Sequence, residues 1–200
     1  MLSFEDIAPH CRIHWAPDRR GMPGSGNVAR TNAYVLEGGR WWVEPVGPRD
    51  EVDGWLALGR ERKPEAILYS HHHPDHVGFT QEIADALGVP IWAPPISDVP
   101  PHRTVRVDRV IEPGMTVGRY SVIATPGHQT GHVSFWDGQV LVLGDAHLPG
   151  DGWPHEFFST TDTLIALDPE YALPAHGKPY LQHSLKRALL MRALHGKGMP

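Results

Sequence analysis

Between Tyr69 and Gly78 the chain reads YSHHHPDHVG, with four histidines and one aspartate in the six residues from His71 to His76. Imidazole nitrogen and carboxylate oxygen suit zinc, at bond lengths of roughly 2.0–2.2 Å. The cluster follows an apolar run, Ala66–Ser70, that reads as a buried strand. Side chains alternate in an extended segment, so His71, His73 and Asp75 are expected on one side and His72 and Pro74 on the other. Pro74 biases His73 toward an extended conformation and suits the first turn of a following helix, which His76 enters. Two ligand groups follow, His71 with His73 and Asp75 with His76. His72 is expected to bind neither, so His72→Ala should be mild and His73→Ala should not. The run is internal and interrupted, unlike a purification tag.

These residues are too few to enclose two ions. Three further segments end apolar runs with a ligand-type residue. In Thr125-Pro126-Gly127-His128-Gln129-Thr130-Gly131-His132, a Pro-Gly turn presents His128. His132 opens the next strand and reads equally as ligand or supporting residue. In Leu141-Val142-Leu143-Gly144-Asp145, burying the carboxylate is costly unless it is paired or metal-bound. In Leu173-Pro174-Ala175-His176-Gly177, a histidine again follows an apolar segment.

Together the four segments resemble the metallo-β-lactamase-fold hydrolase superfamily. SHHHPDH matches the family's first metal motif, TPGHQTGH the second, GD the third and PAHG the fourth, in order from about Asn32 to Gly177. The resemblance implies an α+β fold, a four-layer α-β-β-α sandwich, as a single domain over residues 1–200. It implies two divalent ions, zinc first, with iron or manganese as other choices. His71, His73 and His128 would hold one ion, and Asp75, His76 and His176 the other. Asp145 would bridge them. A bridging carboxylate with a last histidine points to the glyoxalase II-like and lactonase-like branches and away from the zinc β-lactamases. Few residues follow Gly177, so no C-terminal glutathione-gripping domain is expected. One departure is Glu44, which stands where the family usually has an aspartate that supports the metal loop.

The chemistry so implied is hydrolysis of an ester-like carbonyl in a thioester, lactone or other small ester. Two ions about 3.5–4 Å apart acidify water and hold nucleophile and leaving group together. Asp75 would orient the hydroxide and is the candidate catalytic residue. The competing reading is a mononuclear iron oxygenase of the persulfide dioxygenase type on the same fold. His147, Trp153, His155, Phe157 and Phe158 follow Asp145 and read as groove lining or as core packing. Trp15 and Met22 would close the groove from the other side. Asp18–Thr31, rich in glycine, reads as a surface loop or a flap.

Short elements must position these residues. Strands are expected at Arg12–Ala16, Ala33–Glu37, Trp41–Val46, Ala66–Ser70, Ile91–Ala93, Val105–Val110, Tyr120–Thr125, His132–Trp136 and Gln139–Gly144. Asp137-Gly138 joins the last two as a hairpin. Helices are expected at Asp50–Gly59, His76–Leu87, Thr161–Leu167 and Ser184–Leu194. With 200 residues and a net charge of -5, the chain fits one globular domain with no basic block for nucleic acid. No run approaches the roughly 20 apolar residues that span a bilayer. A lone cysteine, Cys11, permits no internal disulfide and no signal peptide is read, which fits the cytoplasm. The expected partner is a small-molecule substrate, not nucleic acid or a membrane.

Overall fold

A computed structural model describes residues 2–15, 31–45, 49–95, 106–150 and 154–196, with side chains as far as 192. Ala16, Met22, Val46, Val105, Trp153 and most of Asp18–Thr31, for which the sequence raised expectations, lie outside these. The chain forms two compact units. One is Met1–Ile111 with Ala175–Gly177, and the other is Glu112–Pro174 with Lys178–Pro200.

The first unit is built on a seven-stranded sheet in sequence order: β1 Phe4–Ala8, β2 Cys11–His14, β3 Ala33–Leu36, β4 Trp41–Val43, β5 Ala66–Leu68, β6 Ile91–Ala93 and β7 Arg109–Val110. Pairing is antiparallel through β4 and parallel from β4 to β7. Both faces of the central strands are apolar, as parallel strands require. Ala33, Val35, Trp42, Ile67, Tyr69, Ile91 and Ala93 pack with Val52 and Trp55 of α1 (Val52–Arg62) and with Ile83 and Ala84 of α3 (Thr80–Leu87). The two helices approach closely at Gly59, where a Cβ would lie 2.2 Å from Leu87 Cδ1.

The helix expected at His76–Leu87 is two pieces. Pro74 starts α2 (Pro74–Val77), which ends at Gly78 with φ 44° and ψ -130°. That left-handed φ is accessible to glycine without a Cβ clash and breaks the run before α3. The extended alternation therefore stops at His73 (φ -66°, ψ 146°), and a helical turn carries Asp75 and His76 instead.

The second unit holds a six-stranded sheet in the order β13-β12-β11-β10-β9-β8. Its strands are β8 Thr116–Val117, β9 Tyr120–Ala124, β10 Val133–Trp136, β11 Val140–Gly144, β12 Tyr171–Pro174 and β13 Tyr180–Leu181. Only β11 and β12 run parallel. Leu141, Leu143 and Ala172 pack with Leu164 of α4 (Pro154–Leu167) and with Leu185 and Leu189 of α5 (Ser184–Gly196). The hairpin at Asp137-Gly138 forms as expected, with Gly138 at φ 97° and Asp137 Oδ1 accepting from Gln139 N and Val140 N. α4 begins seven residues before the helix expected at Thr161, and β1, β8, β12 and β13 were not anticipated as strands.

Candidate metal centre

In the first unit, the predicted ligands cluster where β5 gives way to α2. His71 and His76 are fully buried. Their ring centroids are 4.1 Å apart, with His73 at 4.6 Å from His71 and His176 at 5.2 Å from His76. Asp75, His76 and His176 offer ligand atoms within 4.8 Å of one another, and so do Glu44, His71 and His76. His176 Nε2 lies 3.0 Å and His76 Nε2 3.8 Å from Asp75 Oδ2. These spacings bracket the roughly 3.3 Å between ligand atoms of a tetrahedral ion with bonds near 2.0–2.1 Å.

Glu44 sets the His71 tautomer by way of Ser70. It follows β4 in a left-handed conformation, φ 50°, and its amide donates to Leu68 O at 3.1 Å. The parallel pairing of β4 with β5 brings it beside Ser70. Its Oε1 accepts from Ser70 N at 2.9 Å and from the Ser70 hydroxyl. A hydroxyl has one proton, so the 2.9 Å contact between Ser70 Oγ and His71 Nδ1 is donated by the ring. His71 thus keeps Nε2 as a lone-pair donor. Glu44 Oε2 lies 2.9 Å from His76 Nδ1, an ion-pair distance that sets a buried negative charge beside that ring. His76 Nε2 faces the Asp75 carboxylate at 3.8 Å, an arrangement that needs a proton or a cation between the two.

Burial pushes the Asp75 carboxyl up. The hydrogen bond from His176 and the charges of His76 and His176 outweigh burial and hold it below the usual carboxylate range. His72 is not among the ligand groups found within this unit. It is buried, however, with Nε2 donating to Pro94 O at 2.8 Å, so the expectation that His72→Ala is mild needs revision.

In the second unit the loop after β9 carries His128, and Asp145 follows β11. His128 Nδ1 contacts Leu148 O at 3.3 Å, and a carbonyl can only accept. His128 Nε2 faces Asp145 Oδ2 at 3.2 Å, again an arrangement that needs a proton or a cation between the two. His132 is committed elsewhere. Its Nε2 accepts from Asp145 N at 3.1 Å, so its Nδ1 donates to Thr125 Oγ1 at 2.8 Å. Thr125 then donates to Ser134 Oγ at 2.8 Å, and Ser134 to Leu143 O at 3.0 Å. His132 holds the backbone of Asp145, which decides between the two roles its position in the sequence left open. Gly127, at φ 114°, makes this loop possible, since a Cβ there would lie 2.3 Å from Phe157 Cα.

The remaining candidates are less concentrated. His147 is buried beside Tyr180, at 5.7 Å between ring centroids, and its carbonyl accepts from Arg192. Phe157 is half-buried, whereas His155 and Phe158 are exposed. Trp15 donates to Glu5 at the edge of the first sheet. Sequence reasoning missed Ser70, Thr31, Asn32, Thr125 and Ser134. Only adjacency to a motif could have marked them, because isolated hydroxyl and amide residues carry no spacing signal.

Comparison with known proteins bears on this geometry. The sequence model of the metallo-beta-lactamase superfamily matches residues 26–176. The hydroxyacylglutathione hydrolase of Methylobacillus flagellatus is 30% identical over 138 residues, which are 65% of this chain and 54% of that protein. The chain thus spans about half the length of that curated relative. TTHA1623, solved in a di-iron-bound form, is 28% identical, with a TM-score of 0.65 over 80% of this chain and 93% of its own. VMB-1, solved at pH 5.5, is 14% identical and shares the fold, with a TM-score of 0.73 over 98% of each chain. With its two sheets and mixed α/β content, this chain belongs to the metallo-beta-lactamase superfamily.

Proposed function

We propose that the protein is a metal-dependent hydrolase that holds two divalent ions, zinc by preference, and cleaves an ester-like carbonyl in a small molecule: a thioester, a lactone or another small ester. His71, His73 and His128 would ligate one ion and Asp75, His76 and His176 the other, with Asp145 shared. The observation that carries this reading is the pair of histidine Nε2 atoms, on His76 and His128, that face aspartate oxygens at 3.8 and 3.2 Å, with a buried Glu44 carboxylate on the far side of His76. A cation between such groups satisfies both.

Bound divalent ions would bring the pKa of a ligated water to about 7 and polarise the substrate carbonyl. Asp75, held ionised by its histidine neighbours, would accept a hydrogen bond from the attacking water and aim it. Glu44 would keep His71, through Ser70, in the tautomer that presents Nε2 and would set its negative charge beside His76. His132 would hold the Asp145 backbone in place.

We read the two units as halves of one domain, because the family match from residue 26 to residue 176 runs across both. The ester class is supported by the resemblance to the hydroxyacylglutathione hydrolase. Iron is the competing metal, as the di-iron form of TTHA1623 illustrates for a relative. No helix among the described residues is long and apolar enough to cross a membrane.

The test is turnover of a thioester, lactone and aryl-ester panel by zinc-loaded protein, with Asp145→Ala and His128→Ala beside the wild type. Both variants should lose turnover and bound metal. Full activity in Asp145→Ala would overturn the assignment.

A further inference from the structure

Thr31 and Asn32 carry no ligand atom in the proposed site, yet three hydrogen bonds run from them to the segments that hold Asp75 and His176. The Thr31 hydroxyl donates to Asp75 O at 3.0 Å. Asn32 N donates to Ala175 O at 2.7 Å, and Asn32 Nδ2 donates to Gly177 O at 2.9 Å. His176 is therefore gripped through the residues on both sides of it. Both Thr31 and Asn32 are buried, each 3% exposed.

The gripped segments have little order of their own. Asp75 sits in α2, a single helical turn of four residues, which is far below the length at which a helix is stable alone. Gly177, at φ 84°, has open space around it and no side chain to fix the His176 turn. Thr31 and Asn32, in contrast, lead directly into β3, which is paired on both sides: Ala33 with His14 of β2 and Tyr34 with Val43 of β4. The buried Tyr34 hydroxyl shares a further hydrogen bond with the Asn32 side chain. The sheet is the fixed frame, and the dipeptide carries its rigidity to two ligand segments that are far apart in sequence.

We propose that Thr31–Asn32 is a positioning clip for the ion held by Asp75, His76 and His176, and that it sets the affinity of that ion without setting that of the other. The selectivity follows from where the bonds go. His71 takes its orientation from Ser70 and Glu44, and none of the three clip bonds ends on the segment 70–73. The proposal rests on the two-ion reading above.

The experiment uses the full chain, stripped with a chelator and titrated with Co²⁺ while ligand-field absorption and the melting temperature of the metal-free protein are followed. His73→Ala and His176→Ala identify the binding steps of the two ions. Thr31→Val and Asn32→Ala should each raise the dissociation constant of the His176-dependent step about 10- to 100-fold, the range for lost support of a ligand, and leave the His73-dependent step unmoved. If Asn32→Ala does not fold, Thr31→Val decides alone. Both steps weakening alike, which a general structural role would give, overturns the proposal, as does no change in either. A wild type that takes up a single Co²⁺ ion overturns the two-ion reading and this proposal with it. Two ions in the wild type with unselective variants overturns the clip alone.

Discussion

Glu44 Oε2 lies 2.9 Å from His76 Nδ1, and the same carboxylate reaches His71 through the hydroxyl of Ser70. One buried side chain thus fixes a histidine from each proposed ligand set. The departure from the aspartate usual at this position is a replacement that retains the carboxylate at the end of a longer arm.

Glu44→Gln keeps the shape but removes the negative charge beside His76, and in one amide orientation also the acceptor toward Ser70. Affinity for both ions should fall about 10- to 100-fold with little change in melting temperature of the metal-free protein. Competition against a chromophoric chelator measures this. Unchanged affinities would show that Glu44 does not orient the ligands.

The candidate ligand segments were legible because their chemistry is dense. His71, His73, Asp75 and His76 fall within one run, and His128, Asp145 and His176 each end an apolar strand-like stretch. The break at Gly78 was less visible, because Val77, Thr80, Ile83 and Ala84 share a helical period that continues across it. β1 escaped notice because it is an edge strand whose residues are exposed or half-buried, so it lacks strict alternation. The two-residue strands β8 and β13 are too short to have a period at all. The supporting network around Glu44, His132 and Asn32 depends on which strand ends are neighbours, which local sequence does not encode.

His72→Ala should cost about 2–4 kcal/mol of stability, because it leaves a cavity and strips Pro94 O of its donor, while metal content is unchanged. Burial lowers the His72 pKa, with the Pro94 bond opposing. The folded state then binds fewer protons than the unfolded one between that depressed value and the ordinary value near 6.5. Stability from this source is complete above about 6.5 and is lost as pH falls through the window. His72→Gln, which can still donate to Pro94 O, should show a shallower acid dependence in chemical denaturation of the metal-free protein. An unaltered slope would count against the assignment.

Gly127→Ala forces a Cβ to within 2.3 Å of Phe157 Cα and 2.4 Å of its N, at a φ of 114° that alanine avoids. Strain and overpacking together should cost about 2–5 kcal/mol. The loop bearing His128 should shift, so that bound metal falls along with the denaturation midpoint. Normal metal content at wild-type stability would mean the loop tolerates the side chain.

Metal content, measured by elemental analysis on protein purified without chelator, separates the two-ion hydrolase from the one-ion oxygenase. A two-metal hydrolytic site requires about two divalent ions per chain, here with zinc predominating. A single iron per chain would contradict it and favour the mononuclear oxygenase.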